Sequence, residues 1–256
     1  MSIRARMLTL ADVPDACALS QSAGWNQTAD DWRLAIEMNP DGCFAIEADS
    51  NVVATTTTIP YGTRLAWIGM VLTHPEYRGR GFARALMQRA LDHLGSVETV
   101  KLDATEMGAP LYRQFGFVDE CPIERWIRSP LPSPPAKADV YLPDPELDGE
   151  AFGADRCALL ARLSRIESAS APGAIAMGRG TRFGPCVSRS KESAVALLHW
   201  YLARHCGGEI LWDTFPSELP KSEGFKIYRR LTRMTRGRVL HPNNAVVYAG
   251  AGLEFG

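Results

Sequence analysis

Thr73-His74-Pro75-Glu76-Tyr77-Arg78-Gly79-Arg80-Gly81-Phe82-Ala83 is the stretch that decides how this chain folds. Before it, Ala66-Trp67-Ile68-Gly69-Met70-Val71-Leu72 is nearly all apolar, the pattern of a strand buried on both faces. After it, Phe82, Ala83, Leu86, Met87, Ala90, Leu91 and Leu94 recur at helical spacing and form one apolar face. A glycine-rich turn between a buried strand and a helix start has a chemical meaning. The first turn of a helix leaves backbone N–H groups without partners and carries partial positive charge. Glycines let an anion approach that backbone closely, and arginines add charge-assisted hydrogen bonds. The segment therefore predicts a phosphate cradle.

Outward from the loop, the elements alternate in type. Ile3 to Leu8 predicts a strand, and the residues from Asp12 a helix that ends at Gly24. Thr28 followed by Asp31 forms a capping signature ahead of Trp32, Ala35 and Ile36 at helical spacing. Cys43–Glu47 and Val52–Pro60 predict two strands around the turn Asp49-Ser50-Asn51. Thr99–Asp103 predicts a further strand, and Ala109–Phe115 a short helix stopped by Gly116. Strands and helices in this order describe an α+β domain built on one sheet.

These residues resemble the GNAT superfamily of acyl-CoA-dependent N-acyltransferases. The family's Gln/Arg-x-x-Gly-x-Gly/Ala motif is matched by Arg78, Gly81 and Ala83. Its Ala-x-x-Leu-Tyr-x-x-x-Gly-Phe block is matched by the segment from Ala109 through Tyr112 to Gly116 and Phe117. The resemblance covers about residues 3–120 and implies acetyl-CoA as cosubstrate. It implies that Arg78, Gly79, Arg80, Gly81, Phe82 and Ala83 hold the pyrophosphate. Met70, Val71, Leu72 and Thr73 would pair their backbone with the pantetheine arm. It gives Tyr112 the task of protonating the departing thiolate, a tyrosine packed against the cofactor arm being the other reading. Where the family often has Asn, six residues before that tyrosine, this chain has Glu106. No acid lies on Ala66–Thr73, so the general base is open between Asp103 and Glu106. By the same resemblance Trp25, Trp32 and Tyr61 flank the acceptor side, although the spacing of Trp32 also suits a core residue.

The clearest break in the chain is Ser129-Pro130-Leu131-Pro132-Ser133-Pro134-Pro135, too rich in proline for a helix or a central strand. It divides the sequence into 1–128, a linker at 129–145, and 146–256. The last part is a worn copy of the first. Arg189–Ala194 aligns with Arg78–Ala83, Asp213 with Asp103, and Gly224-Phe225 with Gly116-Phe117. In that alignment Glu192 replaces Gly81 and Pro220 replaces the tyrosine, so the copy is expected not to bind CoA. Phe152–Arg156, Gly184-Pro185 and Arg233–Gly237 resemble segments of tandem bacterial GNAT proteins. The expectation is two tandem GNAT-like domains, each a mixed, mostly antiparallel sheet flanked by helices, the second degenerate.

Composition excludes several classes. A formal net charge of −1 gives no global attraction to nucleic acid or an anionic membrane. No apolar run approaches the ~20 residues of a membrane span, and no signal-type N-terminus is present. The six cysteines and five histidines are scattered without metal-ligand spacing, so metal is expected to be absent and the compartment cytoplasmic. Gly250-Ala251-Gly252 near the end of the sequence has no helix after it and fails as a dinucleotide fingerprint. Arg229, Arg230, Arg233, Arg236 and Arg238 form a basic run, read mainly as a solvated, salt-bridged face. The function expected is acetyl transfer from acetyl-CoA to a primary amine of a small molecule or peptide. The alternative is a non-catalytic acyl-CoA or metabolite sensor signalling through its C-terminal half.

Overall fold

The structure is a computed structural model that describes residues 3–131 and 145–256. Residues 132–144, most of the expected linker, lie outside the described residues. The chain divides into two compact units, Met1–Leu102 with Phe255, and Asp103–Glu254 with Gly256.

The first unit runs β1 (Ile3–Met7), α1 (Val13–Ser22), α2 (Ala29–Met38), β2 (Cys43–Ala48), β3 (Asn51–Tyr61), β4 (Leu65–Thr73), α3 (Phe82–Leu94) and β5 (Thr99–Ala104), the last straddling the division. Strand order is β1-β2-β3-β4-β5. The first four are antiparallel, and β5 joins β4 in parallel. Parallel neighbours cannot be linked by a hairpin, so α3 makes the crossover. Asp49 and Ser50 take positive φ of 48° and 70°, which turns β2 into β3 with the twist a tight hairpin needs. The expected capping box of α2 forms: Asp31 N–H donates to Thr28 Oγ1 (3.2 Å), and Thr28 N–H to Asp31 Oδ2 (2.8 Å). Leu86, Met87, Ala90, Leu91 and Leu94 of α3 are buried, while Phe82 and Ala83 at its start are only half covered.

The second unit contains α4 (Ala109–Arg113), β6 (Val118–Arg128), α5 (Pro145–Phe152), α6 (Cys157–Ser164), β7 (Ser168–Ala171), β8 (Ala174–Arg179), β9 (Arg182–Ser188), α7 (Lys191–Arg204), β10 (Ile210–Thr214), α8 (Leu219–Ser222), β11 (Lys226–Gly237) and β12 (Val247–Ala249). Its strand order is β11-β6-β10-β9-β8-β7, with β12 also on β9. Strands β7, β8 and β9 are antiparallel, and β10 joins β9 in parallel across α7. That repeats the β4–α3–β5 crossover. The helices α4 and α8 also end alike, on Gly116 and Gly224 at φ of 83° and 82°. The next residue then donates its N–H five residues back, Phe117 to Tyr112 O and Phe225 to Pro220 O. The chain is therefore an α+β protein in which one crossover and one helix ending are repeated.

Strand β6 precedes the proline-rich segment in sequence, yet both its partners follow it. It pairs β10 from Ile210↔Arg128 to Thr214↔Glu124 and β11 from Lys226↔Ile127 to Thr235↔Val118. By packing, the second unit begins at Asp103. Composition marks a linker, but strand pairing decides which unit a segment joins.

Candidate functional site

Strand β4 is interrupted where the cofactor backbone is expected to lie. Thr57 pairs Gly69 and Thr55 pairs Leu72, so three steps on β4 answer two on β3. The extra residue is a bulge at Met70-Val71, and Met70 takes φ +49°. Such a conformation costs a non-glycine residue about 1–2 kcal/mol, so the surrounding sheet must hold it there. Pairing of β4 with β5 is confined to Leu65–Trp67 against Thr99–Lys101. Past Trp67 the strand bends away and presents a backbone edge that β5 does not cover.

The loop His74–Gly81 then leads into α3. Gly79 and Gly81 have φ of +77° and +80°, and a Cβ at either would meet no heavy atom within 4 Å. Open space and a left-handed backbone together leave main chain accessible there. Helix α3 has Gly81 as its N-cap, no side-chain cap and no acid in its first turn. Arg78, Arg80 and Arg84 are exposed around this opening. Arg80 lies 4.9 Å over the Tyr77 ring and donates to Glu76 O (3.4 Å), while Arg78 Nε donates to Thr73 O (3.4 Å). The Tyr77 ring stacks on Phe82 at 6.4 Å. Thr73 Oγ1 is buried with no hydrogen-bond partner.

The second crossover differs at each of these points. Only Arg189 and Ser190 separate β9 from α7, where His74–Gly81 separate β4 from α3. Ser190 caps α7, its Oγ accepting from Ser193 N–H (3.1 Å), and Glu192 stands in the first turn. Helix against helix, Glu192 is opposite Ala83 and not Gly81 as the sequence alignment had it. Strands β9 and β10 also part early, pairing only at Arg182↔Leu211 and Phe183↔Trp212. Here β12 fills the gap. It pairs β9 through Val247↔Val187 and Ala249↔Cys186, and Gly250 N–H donates to Asp213 O on β10 (2.8 Å). The chain's own backbone thus occupies the space between β9 and β10.

Tyr112, in the second unit, is buried on α4 with its ring 6.3 Å from Phe117. Burial holds its phenol well above the usual range, so the hydroxyl stays protonated at working pH. A Cβ at Gly108 would come within 3.2 Å of that hydroxyl oxygen. Of the two candidate bases, Asp103 is engaged, for Arg233 donates to both its oxygens at 2.9 and 3.0 Å. Glu106 is exposed in the turn before α4. Trp32 is fully buried with its indole N–H on Ser20 Oγ (3.1 Å), a core residue, and Tyr61 is buried too. Within the basic run, Arg233 pairs Asp103 and Arg230 lies 3.3 Å from Glu124. Among the described residues no group of three His, Cys, Asp or Glu could hold a metal, and no helix is long and apolar enough to cross a membrane.

Residues 11–117 match the model of the acetyltransferase (GNAT) family. The chain carries a GNAT domain. Its bulged β4, glycine loop and uncapped α3 all lie inside the matched region. A UPF0039 protein of Schizosaccharomyces pombe is 35% identical over 74 residues, which are 27% of this chain and 49% of that one. The chain thus spans about half the length of this curated relative. A candidate acetyltransferase from Pyrococcus horikoshii superposes with a TM-score of 0.85 at 21% identity, over 99% of this chain and 96% of that one. A GCN5-related N-acetyltransferase from Sphaerobacter thermophilus gives 0.69 at 17%, over 94% and 98%. A tandem GNAT protein from the clavulanic acid biosynthesis pathway gives 0.58 at 15%, over 92% and 98%. At these identities the likeness establishes a shared fold across both halves of the chain.

Proposed function

We propose that this chain transfers an acetyl group from acetyl-CoA to a primary amine of a small molecule or peptide, and that it binds one CoA per chain. The observation that carries this reading is the uncapped start of α3 behind Gly79 and Gly81, entered from a bulged strand with an open edge. In this reading the loop Arg78-Gly79-Arg80-Gly81-Phe82-Ala83 takes the pyrophosphate. The edge Met70–Thr73 pairs with the pantetheine arm. Acetyl-CoA supplies a thioester whose carbonyl carbon is open to an amine. Backbone N–H groups near Leu72 and Thr73 stabilise the oxyanion, and fixed dipoles there need no reorganisation during the reaction. In the same reading Tyr112 gives its proton to the departing thiolate. With Asp103 held by Arg233, Glu106 is left as the candidate that could accept the amine's proton. Segments 1–128 and 146–256 are proposed as the two copies of one ancestral domain, the second without cofactor.

The test is a thiol-release screen with acetyl-CoA against amino acids, polyamines, aminoglycosides and peptides. Release that depends on an amine supports the transferase. Tight CoA binding with no turnover on any acceptor would instead favour the sensor reading, in which the loop binds acyl-CoA and the second unit signals. The acid-free β4 is the observation on that side.

A further inference from the structure

Met70 holds a left-handed backbone, φ +49°, that a residue with a side chain disfavours. A bulged residue also drops out of the strand ladder, so the ladder alone does not fix its geometry. Thr55 on β3 supplies a second restraint. Its side-chain hydroxyl donates to Met70 O at 2.9 Å, and Thr55 is fully buried. Thr55 stands at the margin of the bulge, since it pairs Leu72 while Thr57 pairs Gly69. A buried hydroxyl bonded to a carbonyl has no water to take over the bond. Any other backbone geometry at Met70 would therefore leave both groups unsatisfied.

The second unit carries the same irregularity with different residues. Ala176 of β8 pairs Cys186 and Gly178 pairs Phe183, so three steps on β9 answer two on β8. The bulge there falls at Gly184-Pro185. Gly184 takes φ +129°, a conformation that glycine adopts without strain. Ala176, which stands where Thr55 does in the first unit, has no hydroxyl to offer. A glycine bulge thus comes with an alanine beside it, and a methionine bulge with a threonine bonded to it. The hydroxyl is present where the bulged residue needs holding.

We infer that Thr55 is a positioning residue for CoA, its hydroxyl holding the Met70 bulge and so keeping the β4 edge in the form that takes the pantetheine arm. The inference rests on the proposed pairing of that arm with Met70–Thr73, and the test separates the two. Dephospho-CoA and ADP share the adenosine and the pyrophosphate and differ by the pantetheine arm. Both are titrated calorimetrically into the intact chain, Thr55→Val and Thr55→Ser, with thermal melts as the folding control. Valine keeps the shape of threonine without its hydroxyl, and serine keeps the hydroxyl. In the parent, dephospho-CoA is expected to bind more tightly than ADP. Thr55→Val should weaken dephospho-CoA roughly tenfold, the scale of one neutral hydrogen bond. ADP, held by the loop alone, should bind as before, and Thr55→Ser should stay close to the parent with both ligands. A merely structural role would weaken both ligands together in Thr55→Val, and that result would overturn the inference. So would a parental dephospho-CoA affinity in Thr55→Val, or a Thr55→Ser variant as weak as the valine one. Dephospho-CoA binding no tighter than ADP in the parent would remove the arm pairing itself, and the inference with it.

Discussion

Gly81 and Tyr112 carry the two residue-scale expectations. Gly81 sits at φ +80° with open space where a side chain would point. Gly81→Glu would strain the backbone and put a carboxylate into the cradle. At ~4 Å and an effective dielectric of about 20 the repulsion is on the order of 4 kcal/mol. Loss of CoA binding is expected by calorimetry, with a circular dichroism spectrum like that of the parent. Tyr112→Phe is expected to lower turnover by roughly 10²-fold or more, the usual worth of a positioned proton donor, with little change in CoA affinity. Near-normal turnover would make Tyr112 a packing residue. The loop was legible because its glycines and arginines fall between an apolar strand and an amphipathic helix. The bulge was not, because Met70 adopts a left-handed conformation that its own side chain does not favour. The sheet around it imposes that geometry, and no local residue announces it.

At the scale of elements, the ion pair joining β6 to β10 offers the sharpest test. Arg125 donates twice to Asp213 at 2.6 Å, and both side chains are buried. Burial alone would push the Asp213 carboxyl up. The charge and hydrogen bonds of Arg125, with the charges of Arg182 and Arg179, outweigh it and hold the carboxyl below the usual range. The folded value is thus lower than the unfolded one, so the stabilisation is present above about pH 4 and is lost as pH falls through the folded value. Thermal melts should show stability falling on acidification below about pH 4. Asp213→Asn should flatten part of that fall and destabilise at pH 7 by about 3–5 kcal/mol, because it strands a buried Arg125. An unchanged melting temperature would mean water reaches the pair. Periodicity gave most elements within a residue or two, including α2 with its capping box and α3 with its buried face. It gave nothing for β12. Val247–Ala249 is short, and the glycines after it suggested only a failed fingerprint, whereas its partner β9 lies some sixty residues earlier in the chain.

For the molecule as a whole, duplication was readable from Gly116-Phe117 and Gly224-Phe225, whose backbone bonds repeat each other. The pairing of β6 was not, since a strand's partners are chosen by distant segments and leave no mark on its own residues. That pairing has a consequence for dissection. Residues 118–128 find their strand partners only after the proline-rich segment. Cleavage within 132–144 should leave the two pieces associated through size-exclusion chromatography and still binding CoA. A fragment 146–256 made alone should aggregate or melt without a cooperative transition, because β10 and β11 would each lack β6. Cooperative folding of that fragment by itself would show that β6 is dispensable to the second unit.

In the proposed function CoA is held by the loop of the first crossover, and the second, with its short connection, capped helix and inserted β12, holds none. Equilibrium titration of CoA into the intact chain and into Gly81→Glu measures it directly. One site is expected in the intact chain and none in the variant. Two sites in the intact chain, or one remaining in Gly81→Glu, would contradict it.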